Sequence, residues 1–147
     1  DFDTQEIGET LRAAGYRDAE KTLFLWEGVT MYLAADAVHG TLDFVGRSAG
    51  EGSRLVFDYV YADVVRGDGT RFGARQGADS VRKSGEAWRF GVEEGKVESL
   101  LAGHGLVLAS HYAPEDMERL YFTSPEATLV RRVNGTHCIV GAQKRID

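Results

Sequence analysis

The chain has 147 residues, 43% of them hydrophobic and 27% charged, which is enough for one domain with a real core and unlike the composition of a disordered chain. Its net charge of -6 argues against broad binding to a nucleic-acid backbone, and no basic run offsets it. No apolar stretch has the length of a bilayer span, no signal peptide is visible, and the single cysteine, Cys138, rules out an intrachain disulfide and fits a reducing cytoplasm.

The chain opens Asp1-Phe2-Asp3 without a methionine, as a stretch from inside a longer gene product would. Thr4 to Ala14 carries Ile7 and Leu11 four residues apart, with Gly15 as a stop, so a short amphipathic helix is expected. Asp3 or Thr4 can cap it, and Glu6 suits the positive end of its dipole. Thr22 to Glu27 follows as a strand. Its apolar run from Leu23 to Trp26 lacks polar alternation, which predicts cover on both faces.

Asp36 to Ser48 places Val38, Leu42 and Val45 on one helical face, and Gly50 and Gly52 end it. Arg54 to Val60 is a second buried strand, so strand, helix and strand form a parallel crossover. From Tyr61 to Gly91 the pattern dissolves into glycines and arginines, and a lid-like insertion over 61–91 is the expectation. The cluster Arg66, Arg71, Arg75, Arg82 and Lys83 within it reads as a solvated mobile loop. Val92 to Ala102 predicts a helix, Leu106 to Tyr112 a third strand, Pro114 to Phe122 a helix opened by proline and acids, and Thr136 to Gln143 a fourth strand entered by an Asn134-Gly135 turn.

Several chemistries lack their parts. The histidines at 39, 104, 111 and 137 show no ligand spacing, so no metal site is expected. His104, in a Gly-His-Gly turn, reads as exposed. His111, near a strand end, is a candidate general base, with a hydrogen-bonded structural histidine as the competing reading. No Gly-x-Ser-x-Gly elbow, phosphate-cradling loop or dinucleotide fingerprint is present. Cys138, beside Ile139 and Val140, reads as a buried inert thiol. What remains are acids and aromatics near strand ends: Asp1-Phe2, Glu27-Gly28, Tyr32, Asp58-Tyr59, Trp88 and Phe90. Carboxylates that accept from amino and hydroxyl groups, beside aromatic faces, suit a nucleoside-bearing cofactor. Phe24 and Phe57 read as ordinary core. Glu27, where a strand leaves the sheet, sits where ligands of open α/β sheets collect.

Glu27-Gly28-Val29-Thr30-Met31-Tyr32-Leu33 closely resembles the Glu-Gly signature of the leucine carboxyl methyltransferase-like family of S-adenosylmethionine-dependent methyltransferases. Asp1-Phe2, Gly52-Ser53-Arg54, the segment Gly85 to Gly91, and Pro114 to Tyr121 extend the likeness over essentially the whole chain. The resemblance implies an α/β fold: the C-terminal half of a class I methyltransferase (Rossmann-like) sheet, about four strands flanked by helices, the last antiparallel. Residues 1–147 would then be a single, incomplete methyltransferase domain, a fragment without the family's glycine-rich loop. It implies S-adenosyl-L-methionine as cofactor, bound by Asp1, Phe2, Glu27 and Gly28. Tyr32, Trp88, Arg89 and Phe90 would line the acceptor pocket, with His111 and Tyr32 as weak candidates for catalysis. The implied reaction is methyl transfer to the oxygen of a carboxylate or hydroxyl acceptor.

The rival expectation is a non-catalytic, truncated module that dimerises through its strand edge and binds cofactor weakly or not at all. Without strands before it, the Leu23–Trp26 strand would be an edge seeking either a second copy or a missing N-terminal portion of the same gene product.

Overall fold

The computed structural model describes residues 2, 4–68, 70–77, 85 and 87–145. Strands β1 (Leu23–Trp26), β2 (Arg54–Val60), β3 (Leu106–Tyr112) and β4 (His137–Lys144) join in one sheet in the order β1-β2-β4-β3. β1 and β2 run parallel, and β4 is antiparallel to both its neighbours. The pairing of β3 with β4 shifts register between Leu108 and Ser110, a local irregularity that turns the end of β3.

The helices are α1 (Ile7–Ala13), α2 (Ala35–Ser48), α3 (Ala62–Val65), α4 (Val97–Ala102) and α5 (Pro114–Tyr121), with a 3₁₀ turn at Thr30–Tyr32. α1 starts later than its sequence implies. Its cap is Glu6, whose carboxylate accepts from the Glu9 amide at 2.7 Å, and not Asp3 or Thr4. Ahead of α4, the expected helical start at Val92 is replaced by a parallel bridge between Val92 and Tyr61. Gly95, at φ +74°, makes the turn between the two, a conformation only glycine adopts without strain.

One face of the sheet is well covered. Val38, Leu42 and Val45 of α2 and Val97 and Leu101 of α4 join Leu55, Phe57, Tyr59, Cys138, Val140 and Ala142 in a single core. Phe57 is buried there as expected, and Phe24 packs against the same cluster. Burial pushes the Cys138 thiol up, away from reactive thiolate.

The opposite face is open. Leu23 is 60% exposed and Leu25 72%, so the expectation of cover on both faces of β1 does not hold. Among the described residues β1 is an edge strand that pairs with β2 alone, and over the face shared by Leu25, Val56 and Ile139 the cleft is lined from the helices by Met117 of α5. An apolar run in sequence shows that a surface wants cover without showing what supplies it, and β1 stands at the edge that the missing strands would leave.

Two arginines of the 61–91 segment, Arg66 and Arg71, are anchored, contrary to their reading as part of a solvated mobile loop. Arg71 lies 3.6 Å over the Tyr61 ring and bonds Asp63 and Glu94, while Arg66 pairs with Glu93. Arg82 and Lys83 lie outside the described residues.

Candidate functional site

A cleft of about 330 Å³ opens at the carboxyl ends of β1 and β2. Leu25, Val56 and Ile139 form its apolar floor, Met117 comes from α5, and Glu27, Asp58 and His137 bring the polar chemistry. The geometry follows from the parallel pairing, which puts Trp26 opposite Phe57 and so carries the next residues, Glu27 and Asp58, to one end of the sheet.

Gly28 holds the two acids in relation. Its backbone amide donates to Asp58 Oδ1 at 2.6 Å, and its φ of +69° is the left-handed turn that lets the chain leave β1 so abruptly. The Thr30 hydroxyl donates to the Asp58 carbonyl oxygen, which anchors the turn after β1 to β2. Glu27 is left exposed at the mouth.

His137 is the cleft's titratable base. The Thr136 hydroxyl gives its one proton to Asn134 Oδ1 at 2.9 Å, so it can only accept from His137 Nδ1 at 2.7 Å. Neutral His137 therefore carries its proton on Nδ1 and a lone pair on Nε2. Burial holds its pKa below the ordinary histidine value, with the Asp58 charge working the other way.

The residues named from sequence fall in different places. Glu27 and Gly28 meet at this cleft with Asp58. Phe2 stacks on Trp26, ring centroids 6.3 Å apart, at the same end of β1, and also lines a shallow apolar hollow beside Ile7 and Leu11. Asp1 lies outside the described residues. Tyr32 is half-buried in the 3₁₀ turn and does not line the cleft. Trp88 stands edge-on to His137 at 5.7 Å, behind the cleft wall. The Arg89 amide bonds the Met31 carbonyl oxygen at 2.7 Å, and Phe90 faces His39 in a separate cleft. His111 lies on the core side, its Nε2 3.0 Å from the Tyr59 hydroxyl, which burial keeps protonated.

Met117 and His137 are the cleft residues that sequence reasoning passed over. Both lie some eighty residues or more beyond Glu27 in the chain, and only strand order brings them there. His104 is a correction of another kind. The exposed turn histidine is in fact 11% exposed and hydrogen-bonded at both ring nitrogens, because its loop rests directly on α2. Among the described residues no group of three metal-ligating side chains converges.

Known structures share this fold. The chain overlays, along its full length and over 60% of the other chain, on a chain from the complex of a Haloferax volcanii methyltransferase activator with a methyltransferase, with a TM-score of 0.58 and 14% identity. It overlays over 90% of its length, and 63% of the other chain, on an S-adenosylmethionine-dependent methyltransferase of Methanosarcina mazei, with a TM-score of 0.53 and 9% identity. The fold is therefore that of the class I methyltransferases. In sequence, residues 1–46 match the family described as leucine carboxyl methyltransferase. A Mycolicibacterium smegmatis protein whose name assigns it to the S-adenosyl-L-methionine-dependent methyltransferases is 32% identical over 125 residues, covering 81% of this chain and 40% of that protein. YktD of Bacillus subtilis, assigned to the same class, is 25% identical over 129 residues, 88% of this chain and 42% of that one. The chain is thus similar to leucine carboxyl methyltransferases over its first 46 residues and to S-adenosylmethionine-dependent methyltransferases over most of its length, and it spans about two-fifths of the length of these curated relatives.

Proposed function

We propose that this chain forms one wall of an S-adenosylmethionine-dependent methyltransferase site, and that the complete enzyme methylates an oxygen of a carboxylate or hydroxyl acceptor. The observation that carries the reading is the pairing of Glu27 and Asp58 at the carboxyl ends of adjacent parallel strands, bridged by the Gly28 amide. S-adenosylmethionine presents an ammonium, a sulfonium and ribose hydroxyls, and two carboxylates over an apolar floor fit that set by charge and hydrogen bonding. When bound, the group supplies an electrophilic methyl for direct displacement.

The chain's own contribution is positioning. Glu27 and the Gly28 turn orient the donor, with Phe2 on Trp26 as an aromatic shelf nearby, and Leu25, Val56 and Ile139 keep water from the cleft floor. Bringing two reactants into register supplies several kcal/mol of a barrier by itself. A carboxylate acceptor needs no base, whereas the proton of a hydroxyl acceptor can pass to His137 Nε2. We place Tyr32, Trp88 and Arg89 at the acceptor side as the family resemblance implies, in a cytoplasmic enzyme. The other wall is assigned to a further portion of the same gene product, which the longer relatives support.

A second reading is favoured by the bare edge of β1, with Leu23 and Leu25 exposed. In it the chain alone is a non-catalytic module that pairs with a second copy through that edge. Calorimetric titration with S-adenosylhomocysteine separates the two. The first reading expects saturable binding that weakens about tenfold in Glu27→Gln, as loss of a charge-assisted hydrogen bond predicts. Silence in the titration, together with a dimer that Leu25→Lys dissociates, would leave the second.

A further inference from the structure

On the helix-covered side of the sheet, three side chains form a hydrogen-bonded line. His39 and Asp43 stand one turn apart on α2, and His104 reaches them from the turn between α4 and β3. His104 Nδ1 lies 2.8 Å from Asp43 Oδ1, and its Nε2 lies 2.9 Å from His39 Nδ1. The turn is fixed by close packing, since a Cβ at Gly46 of α2 would overlap the His104 carbonyl oxygen.

This line dictates where protons sit. Asp43, held below the ordinary carboxylate range foremost by its bond with His104, is an acceptor, so His104 carries its hydrogen on Nδ1. A neutral His104 then offers a lone pair at Nε2, and His39 must donate to it from Nδ1. Neutral His39 keeps its lone pair on Nε2, the ring nitrogen left to meet a ligand. An added proton at that nitrogen is balanced, through His104, by the Asp43 carboxylate.

His39 lines an open cleft of about 370 Å³ together with Phe90, Val92, Glu93, Lys96 and Leu100. Phe90 meets His39 edge-on at 6.3 Å. Glu93 is taken up by Arg66, and Lys96 makes no ion pair among the described residues. The charged and titratable groups about His39 are thus Asp43 and His104, Arg47 behind Asp43 at 3.8 Å, and Glu93 and Lys96 across the cleft. The balance at the cleft itself is an ammonium and a protonatable imidazole beside an apolar wall.

We propose that this cleft is a second ligand site, for a small molecule with an apolar body and a terminal oxyanion, carboxylate or phosphate, gripped by Lys96 and by protonated His39. The proposal rests on this cleft alone and does not depend on the methyltransferase reading. Phenyl phosphate and benzoate are the probes, with benzyl alcohol as a neutral control, in NMR titrations that follow the histidine ring nitrogens. Saturable binding of an anionic probe is expected. Binding should fall about tenfold in His39→Gln and several-fold in Lys96→Gln, with the ring resonances of His39 and His104 moving together. The tighter probe names the headgroup. The proposal is overturned by no saturable binding, by equal binding of benzyl alcohol, by unchanged affinity in Lys96→Gln, or by shifts at His137 in place of His39. Because Lys96 is an exposed side chain, that variant and the neutral control decide the matter even if His39→Gln fails to fold.

Discussion

The two faces of the sheet use the same kinds of residue for opposite ends. On one, Leu42, Leu55, Phe57 and Val140 are at most 2% exposed and lock α2 to the strands. On the other, Leu25 and Ile139 are 72% and 39% exposed around the Glu27 cleft. The covered face accounts for the stability of this chain, and the open face holds surface that makes physical sense only with something against it. An apolar edge strand left bare is a template for pairing, so the packing that stabilises this chain and the surface open to a partner lie on different sides.

Substitutions can break that contrast. Leu42→Ala, in the packed core, should cost about 2–5 kcal/mol by urea denaturation, since it removes buried atoms and leaves a cavity. A loss below about 1 kcal/mol would mean that the covered face is not the main core. Gly46→Ala should cost about 1–3 kcal/mol because its new Cβ meets the His104 carbonyl oxygen and must push the turn off α2. Asp58→Ala removes the acceptor of the Gly28 amide and should cost about 1 kcal/mol, while loosening the turn after β1. Leu25→Ala should change the stability of the monomeric chain by less than about 0.5 kcal/mol. A larger loss would show that the open face is already covered in solution.

The cleft also has a pH signature. His137 in the folded chain resists protonation, so its folded pKa lies below the unfolded value near 6.5. As pH falls through that value the unfolded chain binds more protons, and stability drops; above it the contribution is fully present. Denaturation midpoints measured from neutral to mildly acid pH should fall with this sign, and His137→Gln should flatten the slope. An unchanged slope would place His137 in a more solvated setting.

Much of the fold was legible in local pattern. β2 and β3 run over the residues their apolar, β-branched composition marks, and α2 begins within a residue of its expected start. Turn chemistry was read less well. Residues 92–96 look like a helical first turn, yet Gly95 takes a positive φ and Val92 bridges Tyr61. The site was half legible. Glu27-Gly28 stands out because an acid and a glycine follow an apolar strand, and Asp58 because it is an acid within an otherwise mostly apolar one. His137, Met117 and the His39–His104 contact depend on which strands and turns become neighbours, and no local period carries that information. Trp88 and Phe90 stand two residues apart, a spacing that an extended segment puts on one face, yet Trp88 meets His137 and Phe90 meets His39.

The central claim is that Glu27 and Asp58 form the working edge of a methyl-donor site. Its most direct test is the map of amide shifts produced by S-adenosylhomocysteine in the ¹⁵N-labelled chain. The account predicts shifts centred on Gly28, Asp58 and His137, greatly reduced in Glu27→Gln. Saturable shifts that leave these three residues still, or that persist unchanged in Glu27→Gln, would contradict it.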